Sequence, residues 1–249
     1  MFYPILLAVA ISICGFFSFP GPRGFLAEFA ARLVLMTLNK NKYIVMNNIY
    51  IPAYDGLYTQ IDHLIVSNRG IVVVETKSFG GDISGSPREK YWKSSNGGHV
   101  KKVLNPIRQN SYHIRMLKQN CPSLDEGMLH SVVCLSIGTK AEVNTRTPIT
   151  TPLSLRKTVM DILGRGTADR RARDRMATSI GGIVIRSAGI KARHRELLQA
   201  RERKIGAGFC PRCGARLLYK RGSRGVYRIC SRYPSCKFRL EKPYNQYKN

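Results

Sequence analysis

Residues 58–77, YTQIDHLIVSNRGIVVVETK, constrain the fold most. Two β-rich runs, Gln60 to Val66 and Ile71 to Lys77, flank Ser67-Asn68-Arg69-Gly70, and an Asn- and Gly-containing connection between such runs signals a hairpin. With Asn68 and Arg69 as the turn, Val66 faces Ile71, Leu64 faces Val73, Asp62 faces Glu75 and Gln60 faces Lys77. Ile61, Leu64, Ile65, Val66 and Ile71 to Val74 make both faces apolar, so the pair is central, with a covering layer on each side.

Side chains alternate with period two, which puts Gln60, Asp62, Glu75 and Lys77 on one face at one end of the hairpin. Facing carboxylates, with Cβ atoms about 5 Å apart, repel unless something positive lies between them. Charge at the end of a buried strand is costly and needs a reason. A divalent cation supplies one, because hard Mg²⁺ takes a carboxylate or two and completes its shell with water and phosphate oxygens. The plain alternative is a buried hairpin in which Lys77 neutralises Glu75.

The 249 residues suffice for one ordinary core and a small appendage, and 43% hydrophobic with 9% aromatic residues excludes a wholly disordered chain. The formal charge is +26, and it is uneven: from Arg156 onward 25 Lys and Arg stand against 6 Asp and Glu. The C-terminal part is therefore the polyanion binder, with nucleic acid the first partner to consider and anionic lipid the second. Of 7 cysteines, Cys14, Cys121 and Cys134 sit in or beside apolar runs as small hydrophobes, which suits a reducing compartment.

Phe2 to Phe19 is uncharged and ends at Pro20-Gly21-Pro22. Its length is near the lower limit for a spanning helix, and it lacks the basic start and small-residue cleavage site of a signal peptide. Residues 1–20 are read as an uncleaved transmembrane anchor, with a signal peptide or a buried helix as alternatives. Arg23, Arg32, Lys40 and Lys42 follow it and no cation precedes it, which predicts a single-pass membrane protein with its bulk in the cytoplasm.

Gly24 to Asn39 is expected as an amphipathic helix with Phe25, Leu26, Phe29, Leu33 and Met36 on its apolar face and Glu28 placed to pair with Arg32. Tyr43 to Ile51 is the first strand, and the hairpin follows. Gly80 to Gly85 is loop or short edge strand, and Tyr91-Trp92 opens another edge piece before the turn at Asn96-Gly97-Gly98. Asn105 to Gln119 is a helix capped by Asn105 with Pro106 in its first position, and His113 on its mixed face is read as structural. Ser131 to Ile137 is the last core strand. Beyond it, Ser154 to Leu163, Ala168 to Met176 and Lys191 to Lys204 suggest helices, and 149–207 is read as a basic helical linker.

Gln60-Ile61-Asp62-His63, Val74-Glu75-Thr76-Lys77 and Asn105-Pro106-Ile107-Arg108-Gln109-Asn110 resemble, in order, three motifs of the nuclease-related domain (NERD) family, a branch of the PD-(D/E)xK nuclease superfamily. The likeness covers about residues 24–140, within a domain bounded at 24–148. It implies an α/β, restriction-endonuclease-like core of order αβββαβ. It further implies Asp62, Glu75 and the Thr76 carbonyl as ligands of Mg²⁺ or Mn²⁺, Lys77 orienting or activating water, Glu28 as an extra ligand, and Gln60 and Gln109 beside the metal.

Cys210-x2-Cys213 and Cys230-x5-Cys236, sixteen residues apart, form a closed four-thiolate set for structural Zn²⁺ in a tail too short to hold much core without it. Residues 208–241, with Tyr233-Pro234 between the last cysteines, resemble the C-terminal zinc ribbon of bacterial type IA topoisomerases. That likeness implies single-stranded DNA binding, which suits rings for stacking bases and cations for the backbone: Tyr219, Tyr227, Tyr233 and Phe238 among Lys220, Arg221, Arg224, Arg228, Arg232 and Arg239. The whole reads as a membrane-anchored, metal-dependent DNA nuclease. The rival readings are a binding protein on a degenerate nuclease scaffold and a basic membrane-surface adaptor.

Overall fold

The computed structural model describes residues 23–164, 169–222 and 225–240. The expected anchor at 1–20 lies outside the described residues, and no helix among them is long and apolar enough to cross a membrane. The chain forms two compact units, one running to Ile51 and from Thr59 to Val184, the other made of Pro52–Tyr58 and the chain from Ile185 onward.

The first unit is mixed α/β. Helix α1 (Arg23–Leu35) precedes β1 (Ile44–Pro52), β2 (Tyr58–Ser67) and β3 (Gly70–Lys77). Strands β4 (Asp82–Ser84), β5 (Tyr91–Asn96) and β6 (His99–Leu104) follow, then α2 (Pro106–Asn120), β7 (Leu129–Leu135), β8 (Ala141–Glu142) and β9 (Ile149–Thr150). Helices α3 (Pro152–Leu163) and α4 (Arg170–Ile183) close the unit. The main sheet has the order β1-β2-β3-β7-β9, and a second sheet has the order β6-β5-β4-β8. The expected series of helix, three strands, helix and strand is present, interrupted by the β4–β6 insertion between β3 and α2.

The hairpin takes the two-residue turn and the register that its sequence dictates, with Ser67 opposite Gly70, Val66 opposite Ile71 and Leu64 opposite Val73. Gly70 has φ 150°, and a Cβ there would lie 2.9 Å from the Met128 carbonyl, so the turn admits only glycine. The β2–β3 ladder ends at His63 opposite Val74, so Asp62 and Glu75 stand at the first position past it. β3 continues the sheet through parallel pairing with β7, and β7 pairs in parallel with β9.

Period two along β3 and β7 sorts the core. Val72, Val74, Val132 and Cys134 pack under α1 and α3 with Ala31, Leu35, Leu155, Val159 and Leu163. Val133 and Leu135 lie in a second cluster with Ile83, Trp92 and Ile107. The β3 face that carries Glu75 is thus covered by α2 and the second sheet.

Two expectations are corrected. The buried stripe of α1 is Ala27, Ala31 and Leu35, continued by Leu38, while Phe29, Leu33 and Met36 are exposed. Small alanines let the helix backbone approach the sheet closely, and the large side chains are turned away. The segment 149–184 is not a linker: β9 extends the main sheet and α3 buries Leu155, Val159 and Leu163, an i, i+4, i+8 stripe, in the core.

In the second unit, α5 (Ile190–Gly206) precedes a three-stranded sheet of β10 (Leu217–Gly222), β11 (Gly225–Cys230) and β12 (Arg239–Leu240) in that order. Ile205 near the end of α5 packs with Cys210, Leu217, Cys230 and Phe238, a core of very few side chains. Within the same unit the Arg212 guanidinium meets Asp55 at 2.7 Å.

Candidate active site and zinc site

Glu75 is 1% exposed and sits between two nitrogen groups. Lys77 Nζ lies 2.6 Å from its Oε1, and His113 Nε2 lies 3.1 Å from its Oε2. His113 reaches across from α2, and its Nδ1 is 2.7 Å from the Thr59 hydroxyl on β2. An ionised carboxylate only accepts, so in the neutral ring Nε2 carries the proton toward Glu75 and the Thr59 hydroxyl donates to Nδ1. Burial alone would raise the Glu75 pKa; the hydrogen bond from His113 and the charge of Lys77 outweigh it and hold the carboxyl below its ordinary value.

Asp62 is held differently. Its Oδ2 accepts from the Thr76 amide and the Thr76 hydroxyl, each at 2.8 Å. Burial, and next the charge of Glu75, push its pKa up to about 6. The two acids are thus close enough to oppose each other's ionisation, as the register requires.

This donor set fits a divalent cation. Glu75 Oε1 meets the Lys77 ammonium, and among the described residues Asp62 Oδ1 has no hydrogen-bond partner while Oδ2 is anchored. No third His, Cys, Asp or Glu among the described residues joins them as a metal cluster, so most of the shell would come from water and phosphate, as Mg²⁺ prefers.

Among the described residues, none of the other expected residues bonds to Asp62 or Glu75. Gln60 is tied to β1, accepting from the Tyr50 hydroxyl and donating to Asn48 Oδ1, both at 2.8 Å. Gln109 in the first turn of α2 and Glu28 on α1 are half-buried, and the expected Glu28–Arg32 pair is absent among the described residues. Asn105 caps α2 through the Ile107 and Arg108 amides, and its Nδ2 grips the carbonyls of Ser86, Pro87 and Glu89. Buried Asn110 donates to the Val73 and Val132 carbonyls and so locks α2 onto β3 and β7. His113, the residue that touches Glu75, is the one that sequence reasoning set aside. Its spacing from Pro106 points it to the same side of α2 as Asn110, and that was the available signal.

Cys210, Cys213, Cys230 and Cys236 bring their sulfurs within 4.8 Å of one another, with Cys210 and Cys236 at 3.6 Å and Cys213 and Cys230 at 3.4 Å. Four converging thiols of this kind fit tetrahedral Zn²⁺ and leave no open position. Around them, Lys220, Arg221, Arg232, Tyr233 and Arg239 are exposed and Tyr227 is half-buried, while Arg224 lies outside the described residues. The structure places two expected nucleic-acid contacts inside instead. Phe238 is in the small core beneath the Arg201 guanidinium, and buried Arg228 donates to the Ile205 carbonyl at 2.7 Å. Tyr219, opposite Arg228 in the ladder, is 66% exposed and is the most exposed ring among the described residues of the ribbon.

Residues 23–136 match the family model of the nuclease-related domain, and residues 207–245 match that of the topoisomerase DNA binding C4 zinc finger. A curated relative, an uncharacterized protein of Bacillus anthracis, is 29% identical over 136 residues, which cover 52% of this chain and 64% of the relative. The chain therefore aligns with less than two thirds of that relative's length. No solved structure matches the chain.

Proposed function

We propose that this chain, which carries a nuclease-related domain followed by a topoisomerase-type C4 zinc finger, hydrolyses DNA phosphodiester bonds in a metal-dependent reaction while the zinc ribbon holds a single strand. One observation carries the reading: two opposed carboxylates, Asp62 and Glu75, stand at the end of a central hairpin with Lys77 and His113 beside them. A polar set of this kind at the end of a buried sheet is expensive to maintain and is suited to charge that comes and goes.

Asp62, Glu75 and the Thr76 carbonyl are the ligands we assign to Mg²⁺ or Mn²⁺, which when bound lowers the pKa of water and stabilises charge on phosphate. His113 fixes the orientation of Glu75, and Thr76 fixes that of Asp62. Lys77, whose side chain is 27% exposed, holds its ammonium where it can donate to a water or to a phosphate oxygen. Glu28 and Gln109 are assigned to the edge of the same site. On the ribbon, Tyr219 and Tyr233 offer ring faces to bases, and Lys220, Arg221, Arg232 and Arg239 meet the backbone. The apolar segment Phe2–Phe19 is assigned to hold the protein at a membrane with its bulk on the cytoplasmic side.

A second reading is favoured by the closure of Glu75, whose oxygens both face nitrogen groups and which is almost fully buried. In it the ion pair is structural and the protein binds nucleic acid without cutting. The test is cleavage of single-stranded and duplex DNA with Mg²⁺, with Mn²⁺ and with EDTA, beside the Glu75→Ala protein. Metal-dependent cutting lost in the variant is the expected result. Salt-sensitive binding with no cutting under any condition would replace the first reading by the second.

A further inference from the structure

Helix α1 wears its apolar residues on both sides. Ala27, Ala31 and Leu35 face the sheet, and almost diametrically across the helix axis Leu33 is 49% and Met36 60% exposed, with Phe29 at 47%. Spacings of four and three residues place 29, 33 and 36 in a single narrow stripe. A globular helix normally turns polar residues to that side, and contiguous exposed apolar surface marks a docking site.

What covers the stripe is indicated by its neighbours in the chain. The uncharged segment Phe2–Phe19 ends just before α1. Arg32 beside the stripe and Lys40 just past the helix are exposed cations, and Lys42 after them is half-buried. An apolar face flanked by cations and following directly on an apolar segment matches an interfacial helix lying in the headgroup region of an anionic bilayer. Resting on the proposed membrane attachment, we infer that α1 is a second, in-plane membrane contact, sunk into the lipid surface along Phe29, Leu33 and Met36. This contact fixes one side of the nuclease-related domain against the bilayer, where attachment at one point would leave it free to tumble.

The test uses the full chain with Met36→Trp, attached to vesicles of phosphatidylglycerol and phosphatidylcholine in which some lipids carry brominated acyl chains. The native Trp92 is 1% exposed and so gives an unquenched baseline in the parent protein. The expected result is a blue shift and loss of emission from the added tryptophan, abolished when Leu33→Glu is combined with it. Flotation with vesicles but emission equal to that in plain lipid overturns the inference and leaves the anchor standing. Absence of flotation removes the anchor reading and this one together. Shielding of the added tryptophan without lipid, accompanied by a doubled mass in solution, overturns the inference in favour of a second copy of the chain on the stripe.

Discussion

His113 touches Glu75 through one hydrogen bond and Thr59 through another, so its imidazole is a spacer of fixed length between α2 and two strands. Partners that hold a metal-binding carboxylate typically cost 10–100-fold in activity or metal affinity when removed. His113→Ala is expected to lower DNA cleavage by about that factor and to weaken Mn²⁺ binding in parallel, with His113→Gln recovering part of both. Mn²⁺ titration by electron paramagnetic resonance reads the second effect without relying on turnover. Asp62 and Glu75 were legible because a two-residue turn and a period of two leave their register no freedom. His113 was not, because its partner belongs to another element and nothing in a helix's own pattern shows what a strand will present to it. Asp62 adds a prediction with a definite sign. Its folded pKa, about 6, exceeds the unfolded 3.8, so the unfolded chain ionises first and the buried charge costs stability as pH rises from about 4 to about 6. Asp62→Asn should therefore stabilise the metal-free protein by up to about 3 kcal/mol at pH 8, with the gain vanishing near pH 4, read from denaturation midpoints. Mg²⁺ should stabilise the parent protein at pH 8 and leave the Asn variant unchanged.

Among the elements, α2 was read almost to the residue because its start carries its own chemistry. Asn105 before Pro106 is a cap followed by a residue with no amide to satisfy. The cap does more than the pattern reveals, since its Nδ2 also gathers three loop carbonyls. Asn105→Ala is expected to destabilise the first unit by about 1–3 kcal/mol, measured by urea denaturation, which exceeds most cap losses because three loop carbonyls lose their donor as well. Helix α1 was located correctly but turned the wrong way. An element apolar on all sides has no moment to orient it, and alanines are easily overlooked beside Phe29, Leu33 and Met36. The ribbon failed in a related way. Alternation along β11 puts Arg228 on the buried side with Cys230 and Tyr227 on the other, whereas composition alone ranked every ring and cation as a contact. The small second sheet was legible only in fragments because its strands are short and its hairpin turns on Gly97-Gly98.

For the molecule as a whole, the two units rest on different foundations. The first has a two-sided core. The second has a handful of buried side chains around four cysteines. Chelation of zinc, or Cys210→Ser, should therefore unfold the ribbon and leave the first unit with its cooperative transition, visible as partial loss of far-ultraviolet dichroism and exposure of four titratable thiols. The division into a basic tail and a less charged body was plain in the sequence. The reach of the body as far as residue 184 was not, because α3 shows its role only against a sheet and α4 only through contacts such as Arg173 on the Lys40 and Asn41 carbonyls. That sheet has a further consequence in time. The β2–β3 hairpin closes over two residues, but the neighbour of β3 on its other side is β7, whose Leu129 pairs with Ile71. Closing so long an intervening chain is entropically slow, and non-local parallel pairing lags behind local contacts. Asp62 and Glu75 are therefore opposed early, on a hairpin still bare on one side, whereas α2 and β7 arrive only when the ribosome has released almost sixty more residues. The polar cluster is incomplete until the wall that holds His113 has been laid, and the order of synthesis itself delays the appearance of the site.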